Sequence, residues 1–226
     1  QFLFTIQDSA AAGRSGEHDG GHDPEDGEPF AYPVIYNATY LGPGMTSSQE
    51  DAALKLRDNW GGAYKNSIFG DRSGIALDIE QTDDYAQDSK KRLDDGEIVL
   101  QNNLWFNFAA GDNFDDLSAH TWEAEYLKDA TNANELLSTS PVTSISRSQD
   151  NGLDPRPVAG GAAYQNLAEI TTSVELTRNS NKRPEEFTMA QNYPNPFNPV
   201  THIDFTIKAR TQVTMVVYNM LGKKVA

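Results

Sequence analysis

A short phrase built on asparagine recurs along the first half of the chain and restricts its architecture more than any other feature. It reads Asn37-Ala38-Thr39-Tyr40, Asn66-Ser67-Ile68-Phe69 and Asn103-Leu104-Trp105-Phe106: an asparagine, two variable residues, then an aromatic. The spacings of 29 and 37 residues fall within one repeat of a stacked-strand architecture with variable loops. Each phrase lies in a β-prone stretch (34–41, 63–69 and 97–108), and further strand patterns fall between them at Ala53–Arg57 and Gly74–Ile79. Several short strands per repeat predict an all-β fold, a right-handed parallel β-helix-like body in which each coil stacks on the last and buries an inward apolar row. Asparagine has a physical use at such a turn. It tolerates the left-handed conformation, and its amide can bond equivalent amides above and below. A β-sandwich whose loops contain asparagine is the alternative.

The rest of the body is read around this frame. Phe2, Phe4 and Ile6 alternate with Leu3, Thr5 and Gln7 as in a strand, and the chain opens on that strand without a methionine, as expected of a fragment or processed product. Residues 8–30, rich in Gly, Asp, Glu and His, predict a loop or ligand-ordered insert. Two helical insertions are expected, a short charged one over Tyr85–Leu93 and a better one over Ser118–Leu137. In the second, Ser118 is the N-cap and Trp122, Tyr126 and Leu127 form the apolar patch. Residues 138–161 are rich in Ser, Gly, Pro and Asp, and Ile170–Leu176 reads as a last strand-like stretch. The predicted organisation is a body over 1–177, a solvated linker over 178–186 and a separate segment over 187–226.

Composition removes several function classes. There is no cysteine, which excludes disulfides, thiolate metal sites and thiol nucleophiles. A net charge of −15 repels phosphate backbones, so nucleic acid is not an expected partner. No apolar run approaches the roughly 18–20 residues of a transmembrane helix. No phosphate-binding glycine loop, serine nucleophile elbow or zincin helix is present. His120 and His202 read as ordinary surface residues.

Two clusters remain as candidate sites. Glu17, His18, Asp19, His22 and Asp23 open an acidic, glycine-spaced run that suits Ca2+, because six to eight oxygens must converge on that ion and a flexible backbone is needed to wrap it. A transition metal held by the two histidines is the other reading. Asp58 and Trp60, in Leu56-Arg57-Asp58-Asn59-Trp60-Gly61-Gly62, offer a polar hook and a stacking platform for a sugar. Against this, Arg57-Asp58 also reads as a pair stapling one coil to the next.

The last forty residues carry a different signal. Gln191-Asn192-Tyr193-Pro194-Asn195-Pro196-Phe197-Asn198-Pro199 locks an extended segment through its Asn-Pro alternation. Alternating strand patterns follow at 201–207 and 213–217, then Tyr218-Asn219-Met220-Leu221-Gly222. From residue 187 four basic side chains, Lys208, Arg210, Lys223 and Lys224, face one acid, Asp204. This tail resembles the opening half of the type A sorting domain of the type IX secretion system. The resemblance implies an Ig-like β-sandwich, here expected to be incomplete because the chain stops at Ala226, recognition by the outer-membrane translocon, and a place outside the cell or on its surface. Gly16–Gly21, Tyr36–Tyr40, Leu56–Gly62, Asn66–Phe69 and Asp154–Pro157 are similar to the bodies of large secreted type IX cargo proteins of Bacteroidota-like bacteria. That second resemblance implies location and fold, not an activity. The expectation is a non-enzymatic surface or secreted structural or interaction protein, with Ca2+ the one expected ion. The alternatives are a polysaccharide-binding or polysaccharide-degrading protein (a lyase or glycoside hydrolase, with an extracellular glycan as partner) and a self-associating filament or layer subunit.

Overall fold

The computed structural model describes residues 3–10, 13–21, 31–82, 88–148, 150–165 and 167–168, and in the tail 188–189, 202, 205–206, 216 and 223–224. The chain divides into two compact units, Gln1–Ile170 and Thr171–Ala226. The first is mostly β. Its strands are β1 (Leu3–Ile6), β2 (Gly16–Asp19), β3 (Val34–Tyr36), β4 (Ala38–Gly44), β5 (Leu54–Arg57), β6 (Gly62–Lys65), β7 (Ile68–Arg72), β8 (Leu77–Ile79), β9 (Ile98–Gln101), β10 (Leu104–Phe108), β11 (Glu135–Leu137), β12 (Val142–Ser144) and β13 (Asp154–Pro157).

Three all-parallel sheets result, in the orders β2-β5-β8, β3-β6-β9 and β1-β4-β7-β10-β11. The chain visits the sheets in the same sequence each time, so β2-β3-β4, β5-β6-β7 and β8-β9-β10 are three successive tiers. A fourth tier is partly helical. Ser118 bridges Leu77 as the next rung beyond β8, helix α2 (Thr121–Lys128) stands where a strand beside β9 would be, and β11 completes the rung beside β10. Helix α1 (Ser89–Asp94) is inserted between β8 and β9, its N-cap Asp88 accepting the Lys91 N–H at 2.8 Å. A β12–β13 hairpin follows the tiers.

Strand alternation sorts the side chains. In the first sheet Leu54 and Leu56 stack on Leu77 and Ile79 inside, while Lys55 pairs with Asp78 (2.7 Å) and Arg57 with Asp19 (2.7 Å) outside. Inside the largest sheet, Tyr40, Phe69 and Trp105 occupy one register row. Their rings stack at 5.3 and 4.6 Å between centroids, and all three are buried.

The asparagines act at the corner between the second and third sheets. Asn37, Asn66 and Asn102 occupy equivalent positions there with φ of 55°, 54° and 56°, and Ala133 continues the row at 49°. The third repeat therefore turns on Asn102 and not Asn103. Amide stacking falls to the residue that follows. The Ala38 N–H donates to Ser67 Oγ, the Ser67 N–H to Asn103 Oδ1 and the Asn103 N–H to Asn134 Oδ1, at 3.2, 3.0 and 3.3 Å. Each asparagine of this inner ladder also donates back one tier, Asn103 to the Tyr64 carbonyl and Asn134 to the Leu100 carbonyl. The outer Asn66 amide instead exchanges two bonds with the backbone of Ala168.

Two sequence expectations are corrected here. The stretch expected as loop over 8–30 contains β2, and the helix expected over Ser118–Leu137 is confined to Thr121–Lys128, with His120 at its N-cap. Ser118 cannot be the cap because its backbone belongs to the strand-like rung with Leu77; the Ala119 N–H bonds the Leu77 carbonyl. The first part of the helix expected over Tyr85–Leu93 lies outside the described residues, as do the linker at 178–186 and the stretch at 170–176. In the second unit, β14 (Thr188–Met189) pairs antiparallel with β15 (Phe205–Thr206).

Candidate functional site

The two clusters singled out in the sequence meet at one corner of the body, where β2 and β5 run side by side. Gly20 and Gly21 donate their N–H groups to the Arg57 and Asp58 carbonyls. A Cβ at Gly20 would collide with the backbone of Asn59 and Trp60, so glycine is what lets the two turns lie this close.

The period of two divides the acidic cluster. Glu17 and Asp19 face outward and are bound by arginine: Arg14 reaches Glu17 at 3.0 Å, and Arg57 reaches Asp19 at 2.7 Å and Glu17 at 3.4 Å. His18 faces the interior between them. Its ring stacks on Trp60 (5.3 Å between centroids, 21° between planes), and Nε2 hydrogen-bonds the Tyr64 hydroxyl at 2.6 Å. Burial lowers the His18 pKa below its ordinary value, with Asp19 opposing that shift, and burial raises the Tyr64 hydroxyl strongly. The strand thus places His18 on the face opposite Glu17 and Asp19. His22 and Asp23 lie outside the described residues.

The second cluster is drawn inward. Asp58 and Asn59 turn the chain through the left-handed region, with φ of 54° and 61°. Trp60 follows with its ring buried in the core, only 1% exposed, lying against Gly62, where a Cβ would come within 2.7 Å of the indole. The Trp60 backbone N–H donates to Ser89 Oγ. Asp58 is itself mostly buried, its N–H donating to Glu80 Oε2 at 2.7 Å. The coil-to-coil staple at this corner runs from Arg57 to Asp19, since Arg57 lies 3.8 Å from Asp58.

A buried cation sits at the far side of the first tiers. Arg72, at the end of β7, donates to the Gly13 and Asp51 carbonyls, Gln7 Oε1 and Ser15 Oγ, at 2.5–3.0 Å. Burial pulls its pKa down to about 10, with Asp51 opposing. These bonds tie β1 and the turn before β2 to the interior, which is a structural task.

Among the described residues, the group whose atoms can jointly hold a metal lies elsewhere, at the fourth tier. Asp78 of β8, His120 at the N-cap of α2 and Glu123 in its first turn each offer a ligand atom, all within 4.8 Å of one another. Glu123 is fully buried. Its Oε1 accepts the Ile79 N–H at 2.5 Å and its Oε2 the His120 N–H at 2.9 Å, so it both caps α2 and joins the helix to β8. Sequence reading missed this group because Asp78 lies far along the chain from His120 and Glu123. The only local signal was a carboxylate three residues after His120.

Comparison with known proteins bears on the other end of the chain. Residues 191–226 match the family described as the secretion system C-terminal sorting domain. The phrase at 191–199 and Tyr218, Leu221 and Gly222 fall within that span, and all of them lie outside the described residues. No curated protein matches the chain, and no solved structure does.

Proposed function

We propose that this chain, which carries a type IX secretion sorting domain over residues 191–226 and so is exported to the cell surface or the extracellular space, serves there as a structural or interaction protein with a right-handed parallel β-helix for a body. The type IX secretion machinery is the partner that the sorting domain implies. All-parallel sheets visited in constant order support the β-helix, and the right-handed sense follows the general rule for parallel crossovers.

The scaffold reading rests on one observation above all: side-chain rows run unbroken through successive tiers. The Tyr40-Phe69-Trp105 stack and the Ser67-Asn103-Asn134 ladder fill the interior with contacts that serve rigidity. The tryptophan suited to sugar stacking, Trp60, belongs to that filling as well.

Two measurements test the proposal. Deleting residues 187–226 from the protein in its native host should stop its appearance at the surface or in the medium. The purified protein, incubated with neutral and anionic polysaccharides, should release neither reducing ends nor unsaturated products. Turnover on any of these, retained through repurification and lost on unfolding, would replace the scaffold with a carbohydrate-active protein. A specific glycan-array signal without turnover would make it a carbohydrate-binding one.

A further inference from the structure

We propose that Asp78, His120 and Glu123 form a binding site for a divalent cation of the zinc class, fastening helix α2 to the rung formed by β8. One imidazole nitrogen and two carboxylate oxygens, held by three positions on two elements, converge within 4.8 Å. That donor set suits Zn2+ and its neighbours, which accept mixed nitrogen and oxygen ligands in small numbers. It is too poor in oxygen for Ca2+, which takes six to eight oxygens.

Each member is positioned by something other than the ion. Glu123 is oriented by backbone donors, among them the Ile79 and His120 N–H groups. The His120 ring lies parallel to Trp122, 5.0 Å between centroids and 10° between planes. Trp122 is fixed in turn by its Nε1–H donating to Gln81 Oε1 at 3.1 Å and by Lys90 Nζ 4.8 Å above its ring. Asp78 stands on the outer face of β8, with Lys55 on Oδ1 at 2.7 Å.

Charge gives the independent argument. Glu123 is wholly buried beside a second carboxylate, and no lysine or arginine among the described residues bonds to it. Lys55 neutralises Asp78 alone. A capping glutamate is ordinarily solvated at a helix start; burying this one next to Asp78 leaves an uncompensated negative charge that a proton or a cation must meet.

The test uses the full chain after chelator treatment, titrated with Zn2+ against a chromogenic chelator at about pH 7.5. The expected result is one tight site per chain. A Zn2+ concentration about 100 times the dissociation constant should then raise the melting temperature by roughly 5–10 °C. His120→Ala, at an exposed position, should keep the fold and weaken that site by more than the roughly 10- to 100-fold that follows loss of an outer-shell partner. Asp78→Asn should weaken it too, while His22→Ala should leave it unchanged. Three results would overturn the proposal: no tight site in the unaltered protein, unchanged affinity in His120→Ala, or loss of the site in His22→Ala, which would move the ion to the acidic run near β2.

Discussion

Removing the Asn103 amide strands two buried partners, the Ser67 N–H and the Tyr64 carbonyl. Each unsatisfied group costs about 1–3 kcal/mol, so Asn103→Ala should lower the stability of the body by ~2–6 kcal/mol in urea unfolding. The recurring asparagine was legible in the sequence because few residues tolerate φ near +55°, but the doublet Asn102-Asn103 hid which of the pair makes the turn. Side-chain amides and backbone strain want the same residue type at adjacent positions, and only the register separates the two uses. His18, expected as a metal ligand, packs its ring against Trp60. Its pKa is depressed by burial, so the unfolded chain takes up the proton first. The stabilisation it contributes is complete above about pH 6.5 and drains away as the pH falls from there toward the lower folded-state value. The melting temperature should therefore drop more between about pH 7.5 and 5.5 in the unaltered protein than in His18→Phe, as calorimetry would show.

Among the elements, β5 and β8 announced themselves through apolar residues at alternate positions and β4, β7 and β10 through the asparagine phrase, whereas β2 did not. Its inward positions are Gly16 and His18, and the apolar atoms that bury them come from Leu54, Trp60 and Tyr64 in the next tier. A strand that borrows its hydrophobic partners leaves no periodic signal of its own. The over-long helix expected across 118–137 has a related cause. Trp122, Tyr126 and Leu127 carry true helical spacing, and β11 is too short to contradict its continuation. Within α2, the Tyr126 hydroxyl accepts the Leu100 N–H at 3.1 Å, covering the edge of β9 that lacks a neighbouring strand. Tyr126→Phe should cost about 1 kcal/mol, and hydrogen exchange at the Leu100 amide should quicken while the Trp105 and Phe106 amides stay protected.

At the level of the molecule, two unlike units share one chain. The tiers stabilise one another chiefly through nearest neighbours, as stacked repeats do, and residues 191–226 direct export. Truncation before residue 187 should accordingly abolish surface delivery while leaving the melting temperature of the purified body within a few degrees of the full chain. The corners of the tiers are unequal. The chain crosses from β3 to β4, β6 to β7 and β9 to β10 in one or two residues, each time through a left-handed turn. Between β2 and β3, and between β8 and β9, it runs far longer, and in the latter case it builds α1. New sequence admitted at that vertex alters neither the stacking of the rings nor the register of the inner amides. Diversification of what the protein touches is thereby channelled away from the turn between the second and third sheets, which keeps time for the whole winding.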